Sequence, residues 1–527
     1  MTDATARAVP TRSVARAATG MGAATALSRA FGFVRVLTVA AILGTTYLGN
    51  AFQSANLVSN VLFELIAAGA LSAALVPTFV RSLERHDDRE VERLAGGLLG
   101  IATVVLGVVS VVGVVAAPWI ADLLTAGVRN PSIRAQQAEL TTFLLRFFVP
   151  QVVFYAWGTI AIAVLNAKRR FALPAAAPIA NTVVMVVLLV MFRVVAGPNP
   201  SLELSTASKL TLAAAGTLGV VAYVAVPTVA LFASGFRPRI RVAFNDRAVR
   251  SLLGLSGWAT LLHIGTGLLL GAAIVVGNGV AGGSVAYNVA FVFFLAPYAI
   301  LAQPVLTAIL PELANERREL RTFAGSTRWS LDTMALLVVP VSVAMVALAL
   351  PFARAISFGS AASAGPELIA AGIASLGVGL YGYSAFLMLA RASYALDDSR
   401  TPAIVGVLCA ALSVLAMVVG APMTTGAARV ALIGGAHSGA MILAAAMLGA
   451  WNAHRLGHSL VPTALIRSLL VALPLGLAAW WCATALDPQS RLACAALVAV
   501  VGAVGGAVYL LVIRVTGGFP SRVATSC

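Results

Sequence analysis

Apolar runs of about 20 residues, the length an α-helix needs to cross a bilayer, recur from one end of this 527-residue chain to the other. They constrain the fold more than any motif does. Inside a membrane each backbone N–H and C=O must find its partner within its own segment, so such runs become helices. Only 10% of the residues are charged and 60% are hydrophobic, whereas an ordinary soluble domain carries about 25% charge. The expectation is an all-α polytopic membrane protein with about fourteen transmembrane helices and no room for a sizeable soluble domain. The spans are expected at 22–43, 51–80, 94–123, 138–166, 174–197, 209–235, 251–279, 284–310, 327–357, 366–394, 402–421, 427–451, 464–486 and 489–514.

The formal net charge of +16 could suggest nucleic acid, but its placement argues against that partner. The loops fall into two alternating sets. One set, with both tails, holds 25 of the Lys and Arg residues and the other holds 7, leaving Arg29, Arg35 and Arg146 within or at the ends of spans. Basic residues collect on the cytoplasmic side, so both termini are expected in the cytoplasm of a cell whose plasma membrane the chain crosses an even number of times. Residues 1–20 carry Arg7, Arg12 and Arg16 without an apolar h-region, which reads as a cytoplasmic tail and not a signal peptide.

Two pairs of short matches point to an internal duplication. Leu71-Ser-Ala-Ala-Leu-Val-Pro77 closes the second span and Leu306-Thr-Ala-Ile-Leu-Pro311 the eighth. Ala167 and Pro174-Ala175 bracket the connection after the fourth span, as Ala395 and Pro402-Ala403 do after the tenth. The offsets, 234 and 228 residues, nearly agree. The chain then divides into a cytoplasmic tail (1–20), an N-lobe of six helices (21–235), a cytoplasmic linker (236–250), a C-lobe of six helices (251–451), helices 13 and 14 (452–514) and a second tail (515–527). Repeated lobes of this kind place a transporter's site between halves that rock.

Ionisable side chains inside a span cost several kcal/mol, about 2.5–3.5 on insertion scales, and mark candidate sites. Arg29 and Arg35 open the first span in S-R-A-F-G-F-V-R, six residues and about 120° of helix apart. They can border one broad cavity. Ser28, Gly32 and Arg35 share a face, and Gly32 would let a headgroup approach. In the second span Asn56, Asn60 and Glu64 recur every four residues beside Gln53, and Glu64 could hold Arg35 until an anion competes. Asn288, Gln303 and His263 are weaker candidates, with Tyr287 and Arg146. Arg317, Arg318 and Arg321 could attract anionic headgroups from the cytoplasmic side. No phosphate-binding loop, HExxH or cysteine pair at ligand spacing occurs. That argues for a transporter without cofactor or metal, driven by the membrane potential or an ion gradient, and against an enzyme.

These motifs resemble the MurJ/MviN family of lipid II flippases, within the MATE-like exporter superfamily. S-R-A-F-G-F-V-R at 28–35 is similar to the family's SR-x-x-G-x-x-R, and G-A-L-S-A-A-L-V-P at 69–77 to its GAFSxAFVP. L-L-R-F-F at 144–148, L-N-A-K-R-R-F-A-L-P at 165–174 and S-Y-A-L-D-D-S-R-T-P at 393–402 resemble further blocks. F-E-L in the second span looks like the actinobacterial branch. The resemblance implies a fourteen-helix fold with two lobes and a cationic central cavity. It implies a groove from helices 13 and 14 for a polyprenyl tail, and a role for Arg29, Arg35 and Ser28 at the lipid pyrophosphate. Lipid II, or another undecaprenyl-linked anionic lipid, would be the substrate, with cell-wall synthesis and division proteins as possible partners and alternatives in another cargo or a scaffold role. The chain departs from the family at Phe63–Glu64 and Val292, where relatives carry arginines. It departs again at Val36, Asn50 and Ala68, where they carry acids, so the cavity should be less cationic than usual.

Overall fold

The structure, a computed structural model, describes residues 11–63, 79, 88–168, 170, 172–198, 200–242, 257–363 and 365–517. Among these residues there is no strand. The first half of the bundle runs through α1 (Thr11–Leu43), α2 (Tyr47–Phe63), α3 (Asp88–Val115), α4 (Ala117–Leu124), α5 (Pro131–Phe148), α6 (Gln151–Ala167), α7 (Ala172–Ala196) and α8 (Thr206–Ala233). The second half runs through α9 (Gly257–Gly277), α10 (Gly283–Pro297), a π-helical turn (Tyr298–Ala302), α11 (Gln303–Glu316), α12 (Leu320–Ala347), α13 (Ala349–Ile356), α14 (Gly365–Val378), α15 (Leu380–Ala395), α16 (Arg400–Gly420) and α17 (Gly426–Leu456). Two further helices, α18 (Thr463–Leu486) and α19 (Arg491–Val515), follow.

Ten helical stretches among the described residues are long and apolar enough to cross a bilayer, with α5–α6 and α10–α11 each counting as one, or eleven when α14 and α15, bent by 45°, also count as one. The expected spans 51–80 and 251–279 run into residues outside the described set, so the described helices alone leave the count of fourteen open. The first helix begins at Thr11, eleven residues before the expected start. The expected spans 94–123 and 327–357 each break in two, because short helices branch off at Ala117 and Ala349. Pro118 stands in the first turn of the former and Pro351 in that of the latter, where a missing N–H is tolerated.

The breaks recur at a similar spacing in the two halves of the chain. The short helices start 232 residues apart, and α5/α6 and α14/α15 are both interrupted near mid-span, at Val149–Pro150 and Gly379, about 230 residues apart. Both offsets fall between 228 and 234. The buried apolar clusters also divide. Those around Phe52, Phe148 and Phe192, and around Phe79, Leu98 and Phe236, lie within the first half. The largest cluster belongs to the second half and takes only Val36, Leu37 and Ala40 from α1.

Small residues set the packing, as usual where lipid surrounds the helices. A Cβ on Gly216 would collide with the Phe148 ring, and one on Gly219 would lie 2.8 Å from Asn181 Oδ1. Together these glycines bring α8 against α5 and α7. Helices α18 and α19 are the least buried, with most of their apolar surface facing outward.

Candidate functional site

The two halves enclose a hollow of about 480 Å³. Helix α1 contributes Gly32 and Arg35, three residues apart on one face. Helix α2 contributes Gln53, Leu57, Asn60 and Phe63, at successive spacings of four, three and three. Tyr155 of α6, Tyr223 of α8, and Pro178, Asn181 and Thr182 of α7 complete the first half's wall. From the second half come Leu270 and Ile274 of α9 and Tyr287, Asn288 and Phe291 of α10. A Cβ on Gly32 would meet nothing within 4 Å, so the helix surface there borders open space.

Arg35 is the only side chain charged at neutral pH in the described wall; amides, hydroxyls and aromatic rings share the rest with aliphatic Leu57, Pro178, Leu270 and Ile274. Tyr155 donates to Asn60 Oδ1 at 3.5 Å, and its ring lies 4.8 Å from Phe63 and 5.9 Å from Tyr223. Tyr287 shares a 2.8 Å hydrogen bond with Nδ1 of His437, which is buried behind the wall against Phe291 and Phe294. Pro178 has no N–H to give its own helix, and Thr182 Oγ1 bonds the Pro178 carbonyl at 3.0 Å. One guanidinium set among neutral hydrogen-bonding and apolar groups suits a ligand with one concentrated anionic centre and an uncharged body.

Both ends of the hollow are bridged. The end where α1 begins is called basal here, and the opposite end distal. At the distal end Asn50 and Ser54 of α2 meet Asn278 and Ser284 of the second half, all four completely buried. Asn50 Nδ2 donates to the Val280 carbonyl at 2.8 Å, and its Oδ1 accepts the Ser284 N–H at 3.1 Å. Asn278 Nδ2 donates to Ser54 Oγ and to the Leu124 carbonyl, each at 2.8 Å, while its Oδ1 accepts from Ser284 Oγ at 2.8 Å. Backbones touch there as well. A Cβ on Gly127 would lie 2.6 Å from the Val275 oxygen, and one on Gly279 would lie 2.6 Å from the Gly127 oxygen. At the basal end the bridge formed by the described residues is slighter. Arg29 Nη2 donates to Gln303 Oε1 at 3.3 Å in an exposed contact, and the Phe33 and Phe293 rings lie 4.9 Å apart.

The sequence candidates therefore separate. Arg35, Gly32, Asn60 and Asn288 face the hollow, as do Gln53 and Tyr287. Arg29 does not join that wall; it sits nearer the basal end, six residues and about 120° of turn away, and ties the halves through Gln303. Ser28 is half-buried outside the wall. Asn56 is half-buried beside it, because the face used by Gln53, Leu57 and Asn60 leaves Asn56 about 100° around the helix from Leu57. His263 is half-buried on α9 away from the hollow, and Arg146 is exposed at the end of α5. Glu64, with Ala68 and the 69–77 block, lies outside the described residues. Tyr155, Tyr223 and Asn181 were missed. Isolated tyrosines in apolar spans give no sign that separates a cavity wall from packing, although an asparagine three residues beyond Pro178 did.

A second hollow, about 1010 Å³ and mostly apolar, lies between α18 and the helices α12, α15 and α17. Leu465, Leu469, Leu473 and Trp480 of α18 line one side and Val343, Tyr381 and Ile442 the other. Helix α19, expected to share a tail groove with α18, contributes nothing to this wall; it packs instead against α13 and α18.

Residues 39–498 match the family model described as lipid II flippase MurJ. A lipid II flippase MurJ from Burkholderia cenocepacia is 27% identical over 386 residues, covering 72% of each chain. A probable lipid II flippase MurJ from Rhizobium meliloti is 25% identical over 487 residues, covering 90% of this chain and 89% of the relative. Among solved structures, a lipid II flippase MurJ in an inward closed conformation superposes with a TM-score of 0.72 at 16% identity, covering 94% of this chain and 99% of that one. An inward-facing multidrug-resistance MATE transporter gives 0.63 at 15% identity, covering 82% and 94%.

Proposed function

The chain belongs to the lipid II flippase MurJ family, and from that membership we propose that it carries lipid II from the inner to the outer leaflet of the plasma membrane by alternating access. It is a transporter and not an enzyme; no covalent bond is made or broken. With both termini in the cytoplasm, the basal end faces the inner leaflet and the distal end the outer. The headgroup enters past Arg29, whose exposed bond to Gln303 is easily broken, and its diphosphate meets Arg35. A guanidinium fork matches phosphate oxygens in geometry and charge. The amides and tyrosine hydroxyls of the wall face the sugar and peptide, while the polyprenyl tail stays in the bilayer, with the apolar hollow beside α18 as its resting place.

A hollow of 480 Å³ is of the size that holds a drug-sized ligand, and a disaccharide–peptide headgroup is larger. The bridged state is therefore a closed one, and loading requires the basal end to part. Rocking of the two lobes then opens the distal end. The membrane potential, worth about 2.3 kcal/mol per charge per 100 mV, drives an anion outward from a negative interior and suffices as an energy source.

The observation that carries this reading is Arg35: one guanidinium facing a hollow with amides and tyrosine hydroxyls in its wall, enclosed between two halves that are bridged at both ends. A cationic-drug exporter of the same fold would want a carboxylate in that wall, and the described residues supply none. Growth of a flippase-depleted bacterium tests the assignment. At equal expression the native chain and Asn56→Ala should restore growth and Arg35→Ala should not; rescue by Arg35→Ala removes the assigned role.

A further inference from the structure

Arg429, near the start of α17, is 3% exposed and has no acidic partner among the described residues. Its Nη2 donates to the carbonyls of Ala421 and Thr424, and its Nε has no hydrogen-bond partner. Nη1 lies against Gly279, where an added Cβ would collide with it, at the point where Gly279 meets Gly127 of the other half. Across the same seam Arg129, exposed at the end of the Gly127 loop, donates to the Pro422 carbonyl at 2.8 Å. The two arginines thus grip one short loop, residues 421–424, from opposite halves.

Holding a short loop does not require a charge; an amide side chain would donate as well. A buried cation without a counter-ion, on a loop that another cation also holds, costs several kcal/mol. The arrangement makes sense if an anion arrives when the seam parts. We propose that Arg429 and Arg129 form an exit station for a lipid diphosphate, exposed when the distal end opens and favouring the open state while the diphosphate is bound. The station deepens the flippase reading and rests on it for its direction. Arg29 stands at the entrance, Arg35 in the middle, and this pair at the level where a diphosphate anchored in the outer leaflet comes to rest. An outer-leaflet phospholipid offers a related phosphate, so the test includes one.

The reporter is Thr45→Cys in a chain whose four native cysteines are alanine. Thr45 is 7% exposed, pressed by Gly282 and Gly365 at the distal seam, and reacts with an impermeant maleimide added outside only when that seam parts. Farnesyl diphosphate added outside should raise the labelling rate at least fivefold. Farnesol and phosphatidylglycerol should not. Arg429→Gln and Arg129→Gln should each abolish the rise, and Arg429→Lys should keep part of it. Because Arg129 is exposed, Arg129→Gln decides the matter even if Arg429→Gln fails to fold. An equal rise in Arg129→Gln, no rise in the unsubstituted arginine background, or an equal rise with farnesol or phosphatidylglycerol each overturns the station. If farnesyl diphosphate acts through these arginines yet labelled lipid II is not flipped by the native chain in liposomes, the cargo assignment fails and the station stands.

Discussion

At the distal end of the seam Asn50, Ser54, Asn278 and Ser284 are wholly buried and bonded to one another or to backbone across the two halves. At the basal end, among the described residues, the named contacts are an exposed guanidinium–amide bond of 3.3 Å, a pair of phenylalanine rings and the close approach of Gly267 to Val61. A buried polar group left without a partner costs about 1–3 kcal/mol, whereas an exposed contact exchanges for water at little cost. Among the described residues the two halves are thus joined at both ends but held by a buried polar network at only one. The basal end opens readily, and the distal end opens only when something offsets several lost hydrogen bonds together.

The comparison breaks most completely at Gly279. A methyl there would strike Arg429 and crowd the Gly127 carbonyl, so Gly279→Ala should prevent distal closure. Thr45→Cys should then label without ligand at close to its unfolded rate and lipid II flipping should stop; slow labelling would mean that the seam has slack not evident here. Asn278→Ala comes next. It leaves Ser54, Ser284 and the Leu124 carbonyl without a shared partner, and a shift of about 2 kcal/mol toward the open state is about thirtyfold in population. Labelling should accelerate by that order.

At the basal end Arg29→Gln should alter the resting balance by under about 1 kcal/mol. It should leave distal labelling unchanged and slow only the loading step, read as a raised lipid II concentration for half-maximal flipping. Equal effects of Arg29→Gln and Asn278→Ala on distal labelling would erase the asymmetry.

The smallest effect lies outside the seam. Asp398, in the basal loop between α15 and α16, loses solvation by partial burial, which alone would push its carboxyl up. The Thr401 N–H and hydroxyl, the Trp451 N–H and Arg455 outweigh this and hold it below the usual range. The stability it contributes is present above the ordinary carboxylate pKa and disappears as pH falls through the lower folded value. Melting temperature in detergent should therefore be flat from pH 7 to 5 for this group. Asp398→Asn should lower it slightly there and converge with the native chain only in strong acid.

How much of this was legible in the sequence follows from the kind of signal each residue gave. Arg35 stood out because a charge inside an apolar run has few bland explanations. Asn60 stood out through its spacing of four. The same spacing misplaced Asn56, because periodicity identifies a face of α2 but not the direction in which the hollow lies. Asn50 and Ser54 share that helix and that spacing, yet their partners Asn278 and Ser284 lie more than 220 residues away, a distance that no local pattern spans. Asn50 was noticed only as an acid missing from the family pattern. Arg429 gives no such signal, since a cation near the end of an apolar run reads as a loop charge and the sequence does not show that it folds back into the seam. The short helices α4 and α13 were absorbed into long apolar runs, in which hydrophobicity does not reveal a break.

The most direct measurement is the rate at which labelled lipid II crosses proteoliposomes containing the purified chain under an imposed inside-negative potential, compared between the native chain and Arg35→Gln. The account predicts potential-dependent transfer by the native chain. It also predicts at least a tenfold loss in Arg35→Gln, with Asn56→Ala, half-buried beside the hollow and outside its wall, staying within about twofold of native. Equal transfer by the native chain and Arg35→Gln would contradict it.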